Sequence, residues 1–412
     1  MAEHTENEEL AASFEITALP SGFADDPFPT YRALLEHAPV KRFADGSVML
    51  SRYADLDRVY RDTKAFSSDK KVEFLPKFGA TPLYDHHTTS LVFSDPPLHT
   101  RVRKIMMGAL TPRAIAALEP GLVALVDSLL ANMAEKRDVD LIEDFASAIP
   151  VEVIGNLFVM PHEERGPLRD WSLAILGALE PTLTPEQHDL GNRAVTQFKA
   201  YLADLAARRR KSPGDPATDV LTRLLNGNEG EQLSDEELLQ NCIFILNAGH
   251  ETTTNLIGNA LFELIEWPEE KQRLIDNPDL IDTAVDEFLR FQSPNQLGNR
   301  MTTEAVTFHD EEIPAGTRIH LCIGAANRDP RQFESPDTLD LGRKPNRHLA
   351  FGQGPHLCAG FSLARMEGRI AISRFLHRFP DYHLSGQPQR TGRVRFRGFS
   401  NFPARVTPEE QP

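Results

Sequence analysis

Phe351-Gly352-Gln353-Gly354-Pro355-His356-Leu357-Cys358-Ala359-Gly360 is the stretch on which the reading of the chain turns. Two glycines and a proline specify an irregular loop, and a helical pattern starting at the cysteine runs to about residue 378. Cys358 is therefore expected at a helix N-terminus, where unpaired N–H groups and the positive end of the helix dipole favour a thiolate. A lone cysteine in a tight turn is more commonly a packed thiol, so the surrounding pattern has to decide. Zinc ligation would bring paired ligands, and no Cys-x-x-Cys occurs. A dinucleotide loop would need glycine at position 357, which is leucine.

Working outward, Ser234-Asp-Glu-Glu237 is a capping box, and the pattern after it runs without proline to Trp267-Pro268. At 1.5 Å per residue such a helix reaches roughly 50 Å. Midway along it, Ala248-Gly-His-Glu-Thr-Thr-Thr254 sets an acid and hydroxyls in an apolar pattern, a local conflict that marks function or strain. Gly249 permits close approach of another group. Threonine hydroxyls can bond carbonyls one turn back and deform the helix, which is also their ordinary behaviour in a buried helix. The His250-Glu251 pair is no metalloprotease motif, because position 254 is threonine.

Elsewhere helical signals dominate. A second capping box at Thr184-Pro-Glu-Gln187 opens a helix to about 207, and further helices are expected near 53–62, 111–135, 142–158, 163–177, 216–226, 269–276, 279–291 and 359–378. Strand signals are short: 40–50 around Asp45-Gly46, and 306–323 around Pro314-Ala-Gly316. The fold class is mostly α with a small β portion. One large domain over 19–412 follows an acidic tail, 1–18, that is expected to be disordered. The chain has 412 residues, 25% of them charged, 41% apolar, and a net charge of −16, which argues against general nucleic-acid binding. Three scattered cysteines suit a reducing compartment. The acidic start lacks a signal pattern, and no run of about 18 unbroken apolar residues suggests a membrane span. A cytoplasmic protein is expected.

The loop around Cys358 resembles the proximal loop of the cytochrome P-450 superfamily, Phe-Gly-x-Gly-x-His-x-Cys-x-Gly, at every specified position. Ala248, Gly249, Glu251 and Thr252 match its small-Gly-x-acid-Thr pattern, and Glu287 with Arg290 matches its Glu-x-x-Arg. Asp95-Pro-Pro-Leu-His99-Thr-Arg101-Val-Arg103 resembles its Asp-Pro-Pro-x-His-x-x-x-Arg. The resemblance extends from about Asp26 to the C-terminus. It implies a single-domain triangular prism with a long central helix on the distal side of heme b, and Cys358 as the iron ligand. It further implies Phe351 and Gly352 against the macrocycle, with His356, His99, Arg103 and Arg300 on the propionates. Thr252 and Glu251 would handle dioxygen and its protons, with Ala248 and Gly249 forming the oxygen groove. Thiolate donation favours O–O cleavage, which needs protons delivered to the distal oxygen. Glu287, Arg290 and Arg343 would be structural.

By the same resemblance the substrate regions bring Phe74, Phe78, Leu91, Val92, Leu173, Leu176, Leu179, Phe244, Asn247, Asn295, Leu297 and Phe399 to the pocket. A modest-sized hydrophobic or aromatic substrate follows, with Asn247 or Asn295 as polar anchor. No flavin, nicotinamide or iron–sulfur fingerprint occurs, so electrons are expected from a separate iron–sulfur ferredoxin and its NAD(P)H-dependent reductase. Arg101, Arg103, Lys104 and Arg113, with Arg343, Lys344, Arg347 and Arg365, suggest a basic docking face. A monomeric monooxygenase is the leading reading. A heme-thiolate sensor or carrier without chemistry and a peroxide-driven oxygenase are the rivals.

Overall fold

The computed structural model describes residues 2–227 and 231–407; Met1 of the expected tail and 408–412 of the expected domain lie outside the described residues. Helices form most of it. The long helix is Asp235–Glu266, its start closed by reciprocal bonds between Ser234 and Glu237. Its 32 residues span about 48 Å. Nearly every side chain from Leu238 to Leu264 on its inner faces is buried, so it forms the spine between two apolar clusters. One cluster joins its C-terminal half to the helices Glu119–Lys136, Ile281–Phe291 and Phe361–Arg378. The other joins its N-terminal half to Leu98–Ala109, Ala148–Leu157, Leu168–Gly177 and Pro185–Lys211.

The largest sheet runs, in spatial order, Val40–Arg42, Val48–Leu50, Arg318–Cys322, Leu297–Thr302 and Phe66–Ser67. The first two strands form the hairpin expected around Asp45-Gly46, with Val40 opposite Leu50. The strand Leu297–Thr302 and the strands Asp138–Asp140, His383–Leu384 and Pro403–Arg405 gave no clear alternating pattern in the sequence. The helices Phe28–His37, Lys71–Phe78 and Pro82–Thr89 were likewise unexpected, their turn-rich starts masking short apolar faces, whereas Leu98–Ala109 is the helix that the resemblance implies around His99.

Two expectations are corrected. The acidic start is not a solvated tail: Ala2–Ser13 is helical, and Ala11, Phe14 and Ile16 are buried. Phe14 stacks on Phe23 at 5.5 Å, and Lys41 donates to the Ala12 carbonyl. The four glutamates hid a short apolar run at 10–16 that is enough to dock the segment. Residues 112–136 do reach the length and apolarity of a membrane span. In the structure they are two helices, Pro112–Ala116 and Glu119–Lys136. Leu122, Val126, Leu130 and Met133 lie in the core, while Glu119 and Asp127 pair with Arg369 and Arg374.

Glu287 and Arg290 are completely buried and bonded twice, at 2.7 and 2.8 Å. Arg343 reaches the same carboxylate at 3.2 Å, and the Asp340 amide and Asn346 side chain also donate to it. Arg290 further donates to the carbonyls of Asn327, Pro336 and Thr338. A charge pair so enclosed is tolerable only because nearly every donor and acceptor is met. It fastens the helix Ile281–Phe291 to the 327–346 meander that leads into the Cys358 loop.

Candidate active site

The Cys358 loop is shaped by backbone constraints before any side chain is considered. Gly352 and Gly354 both have φ of +65°, and a Cβ on Gly354 would stand 2.4 Å from the Tyr60 carbonyl oxygen. Only glycine meets both demands there. The Cys358 amide donates to the Phe351 carbonyl at 2.9 Å, closing the loop. The following helix begins at Phe361, three residues after the cysteine, not at it. The Gly360 amide is directed at the Cys358 sulfur. Burial raises the thiol pKa above its usual value, opposed by that amide and by the fields of Arg103 and Arg365. The helix terminus alone therefore does not produce the thiolate expected from sequence; a cation bound at sulfur would complete the stabilisation.

Cys358 forms part of the floor of a slot holding about 1990 Å³ of atom-free space out to its mouth. The same slot is lined by Phe351, Gly352, His356, Arg103, Arg300, Ala248, Gly249 and Thr252, residues drawn from four separated segments. His99 stands just behind, its ring 3.9 Å from that of His356. Burial holds both imidazoles neutral, His99 at a pKa of about 4 and His356 at about 2. His356 Nε2 meets the Ser68 hydroxyl at 3.2 Å, and the Ser68 amide donates to Asp95 at 2.8 Å. His99 Nε2 has no partner among the described residues. Arg103 donates to the Leu357 carbonyl at 2.6 Å, and Arg300 to the Asn299 carbonyl at 2.7 Å. Neither makes an ion pair among the described residues. Two cations and an unpartnered imidazole around a deep slot are the complement of a ligand carrying carboxylates.

On the opposite wall, the long helix remains α-helical through 248–254. Thr252 and Thr254 bond the carbonyls of Ala248 and His250, at 2.8 and 3.0 Å. The close approach allowed by Gly249 is that of Ile154, whose Cδ1 would lie 2.4 Å from a Cβ. Glu251 is buried but does not line the slot. One of its oxygens accepts from Arg393 at 2.5 Å, and the other has no partner among the described residues. Burial raises its pKa to about 7 despite that arginine. A second acid, Glu367, does line the slot; the Thr253 hydroxyl donates to it at 3.3 Å, its other oxygen has no partner among the described residues, and burial raises its pKa to about 8. Sequence reasoning missed Glu367 and Arg393. An acid on the inward face of an otherwise apolar helical turn, nine residues after Cys358, was the available signal for the first.

Of the expected pocket residues, Leu91, Val92, Leu176, Leu179, Phe244, Asn247 and Asn295 line the slot, whereas Phe74, Phe78, Leu173, Leu297 and Phe399 do not. Phe74 and Phe78 meet edge to face at 5.2 Å, and both pack against His87. Leu173 offers its carbonyl to Arg393, and Leu297 pairs with Cys322 in the sheet. Phe399 packs on Phe262 and Phe402, so Arg395 and Phe396 take the place expected for it. His86, His87 and Ser90 also reach the slot. The basic face is reduced: Arg101, Lys104 and Arg365 pair with Glu237, Glu231 and Asp286, and Arg343 serves Glu287. Arg113, Lys344 and Arg347 are left without ion pairs among the described residues.

A loop cysteine and a glycine–threonine turn of a long helix line one slot, together with cations that make no ion pair among the described residues, an arrangement suited to an oxidoreductase with a bound prosthetic group. The chain belongs to the cytochrome P-450 family, whose profile matches residues 172–391, and is a monooxygenase of that family. It is 37% identical over 393 residues to a vitamin D(3) 25-hydroxylase of Pseudonocardia autotrophica, covering 94% of this chain and 95% of the relative. The crystal structure of CalO2 superposes with a TM-score of 0.90 at 28% identity, covering 96% of this chain and 99% of that one. P450BioI, solved in complex with hexadec-9Z-enoic acid ligated acyl carrier protein, gives 0.87 at 32% identity, covering 94% and 99%. The family implies a heme-thiolate cofactor. Cys358, the neutral histidines and the unpaired Arg103 and Arg300 fit such a group.

Proposed function

We propose that the chain inserts one atom of dioxygen into a modest-sized hydrophobic substrate, with Cys358 as the ligand of heme iron. The observation that carries this reading is the juxtaposition, across one slot, of the Cys358 sulfur with Thr252 and with cations that have no carboxylate partner among the described residues. The heme would supply activation of dioxygen. Arg103 and Arg300 would hold its carboxylates, with His99 and His356 as neutral hydrogen-bonding partners. Ala248 and Gly249 line the slot beside Thr252, whose hydroxyl donates back to the helix and so presents its oxygen lone pairs to the slot. Glu251, poised near neutrality, would hold a proton at its unpartnered oxygen, and Glu367 supports a second store at the slot wall.

Leu91, Val92, Leu176, Leu179 and Phe244 would form the apolar chamber for substrate, hydroxylated or oxidatively dealkylated there. Electrons would come from a separate ferredoxin and its NAD(P)H-dependent reductase, docking near Arg113, Lys344 and Arg347, in the cytoplasm of a bacterium and with the chain as a monomer. The test is optical. The ferrous carbon monoxide complex of the purified protein should show the strongly red-shifted Soret band of thiolate ligation, and Cys358→Ser should abolish it. A band at the position typical of histidine ligation, or a Cys358→Ser variant that keeps the shift, would sink the reading. NADH consumption that depends on substrate and yields an oxygenated product separates an oxygenase from a sensor.

A further inference from the structure

We infer that Arg395 is an anchor for a carboxylate on the substrate, so that the molecule oxidised is an amphipathic organic acid. This rests on the reading of Cys358 as a heme ligand and goes beyond it. Leu91, Val92, Leu176, Leu179, Phe244 and Phe396 give the slot an apolar lining, and Arg395 brings a positive charge to that same lining, within electrostatic range of Arg300 and Tyr60. Arg395 is half-buried and lines the slot; it makes no ion pair, and its shielded Nε has no partner, among the described residues.

Nearby carboxylates are already committed. Glu180 accepts the main-chain amides of Val394 and Arg395, at 2.9 and 3.2 Å, and Glu73 pairs with Lys70 at 2.7 Å. Lys77 donates its ammonium to the Glu180 carbonyl. Three cations, Lys70, Lys77 and Arg395, thus face two carboxylates and leave an excess of positive charge. A buried cation without a counter-ion is unfavourable, and an incoming carboxylate relieves that cost with charge-assisted bonds in a bidentate geometry.

The position is also rigid. The Arg395 carbonyl accepts from the Gln296 amide at 2.7 Å, the Arg397 amide donates to Pro294 at 2.9 Å, and Phe396 bridges to Asn295. Glu180 fixes the same peptide from the other side. A side chain held this way presents its charge at a defined point in the slot. Two more pocket atoms lack partners among the described residues, Asn247 Nδ2 and Ser90 Oγ, and both are able to donate to an acid or to an oxygen function beside it. Asn247 Oδ1 is engaged by Ser172 at 2.9 Å, which fixes the amide so that its NH₂ is the free end.

The experiment is a spin-state titration of the purified holoprotein with dodecanoic acid and 4-pentylbenzoic acid, each against its methyl ester, at about pH 7.5, where both acids are ionised. In the unaltered protein at least one acid should bind about tenfold or more tighter than its ester, as a charge-assisted pair predicts. In Arg395→Gln that preference should collapse to near parity with ester affinity unchanged, and Arg395→Lys should keep part of it. Should Arg395→Gln fail to fold, Arg395→Lys is read the same way, with a reduced acid preference required. Esters that bind as tightly as acids, acids that give no shift, or a variant that weakens acid and ester equally each overturn the inference. So does loss of heme from Arg395→Gln, which would assign the guanidinium to cofactor carboxylates. An intact thiolate-type carbon monoxide spectrum with no acid preference refutes the anchor alone, whereas an absent thiolate spectrum refutes the parent reading.

Discussion

Replacing Glu251 by glutamine should make the protein more stable at alkaline pH and leave it nearly unchanged at about pH 5. The carboxyl is buried, and burial raises its pKa from 4.5 to about 7 even with Arg393 at 2.5 Å. A group whose folded pKa lies above its unfolded value binds more protons in the folded state between those two values. Stability therefore falls as pH rises through that window, from 4.5 to about 7. At about 1.36 kcal/mol per unit, the ionised form costs about 3 kcal/mol relative to the neutral one. At the acid end of the window the neutral carboxyl and the carboxamide that replaces it are near isosteres. Neither offers Arg393 a charge, so the difference between the proteins should be small. At about pH 8 the wild type bears the full cost and the variant none. For a chain of 412 residues, about 3 kcal/mol corresponds to about 4 °C in Tm. Thermal melting of both holoproteins between about pH 5 and pH 8.5, in buffers of low ionisation enthalpy, would register it. A difference in Tm that does not change with pH, or that favours the wild type as pH rises, would show that Glu251 is already ionised at low pH and that the Arg393 pair outweighs burial.

Arg290→Ala should destabilise the fold by about 3–5 kcal/mol, because it strands the fully buried Glu287 carboxylate. Urea unfolding monitored by far-UV dichroism reads this, and a loss under about 1 kcal/mol would contradict the burial. Gly354→Ala should sharply reduce heme retention, since a Cβ would stand 2.4 Å from the Tyr60 carbonyl in a backbone conformation of positive φ. The heme-to-protein absorbance ratio after purification is the measurement, and an unchanged ratio would mean that the loop tolerates a different path.

What the sequence disclosed depended on how local the signal was. The long helix was legible because its capping box, apolar period and terminal Trp267-Pro268 all lie within it, and the 350s loop because glycines and proline dictate its backbone. Cys358 illustrates the limit. Its segment was clear, but the helix starts at Phe361, and the thiol's electrostatics depend on Arg103, far away in sequence. Glu251 was identified as an acid in an apolar helix, but its partner Arg393 lies in a turn 142 residues on, where no periodicity points to it. Phe74, Phe78, Leu297 and Phe399 were apolar in plausible segments, and apolar side chains do not reveal from sequence whether they face a cavity or a neighbour. Arg395 is the converse: a charged residue in a C-terminal turn reads as solvated until the structure encloses it.

The bond from Arg103 to the Leu357 carbonyl joins residues 254 positions apart. During synthesis at about 5–20 residues per second, Arg103 emerges about 13–50 s before its acceptor exists. His99 and Ser68 wait similarly for His356. For that interval the slot is incomplete, and apolar side chains that line it, such as Leu91 and Val92, wait for the later segments that enclose them. Every earlier helix must therefore be stable enough to persist, yet loose enough to accept the C-terminal segment when it arrives. The protein's yield in a cell should thus depend on how quickly the ribosome finishes, as well as on how well the finished chain packs.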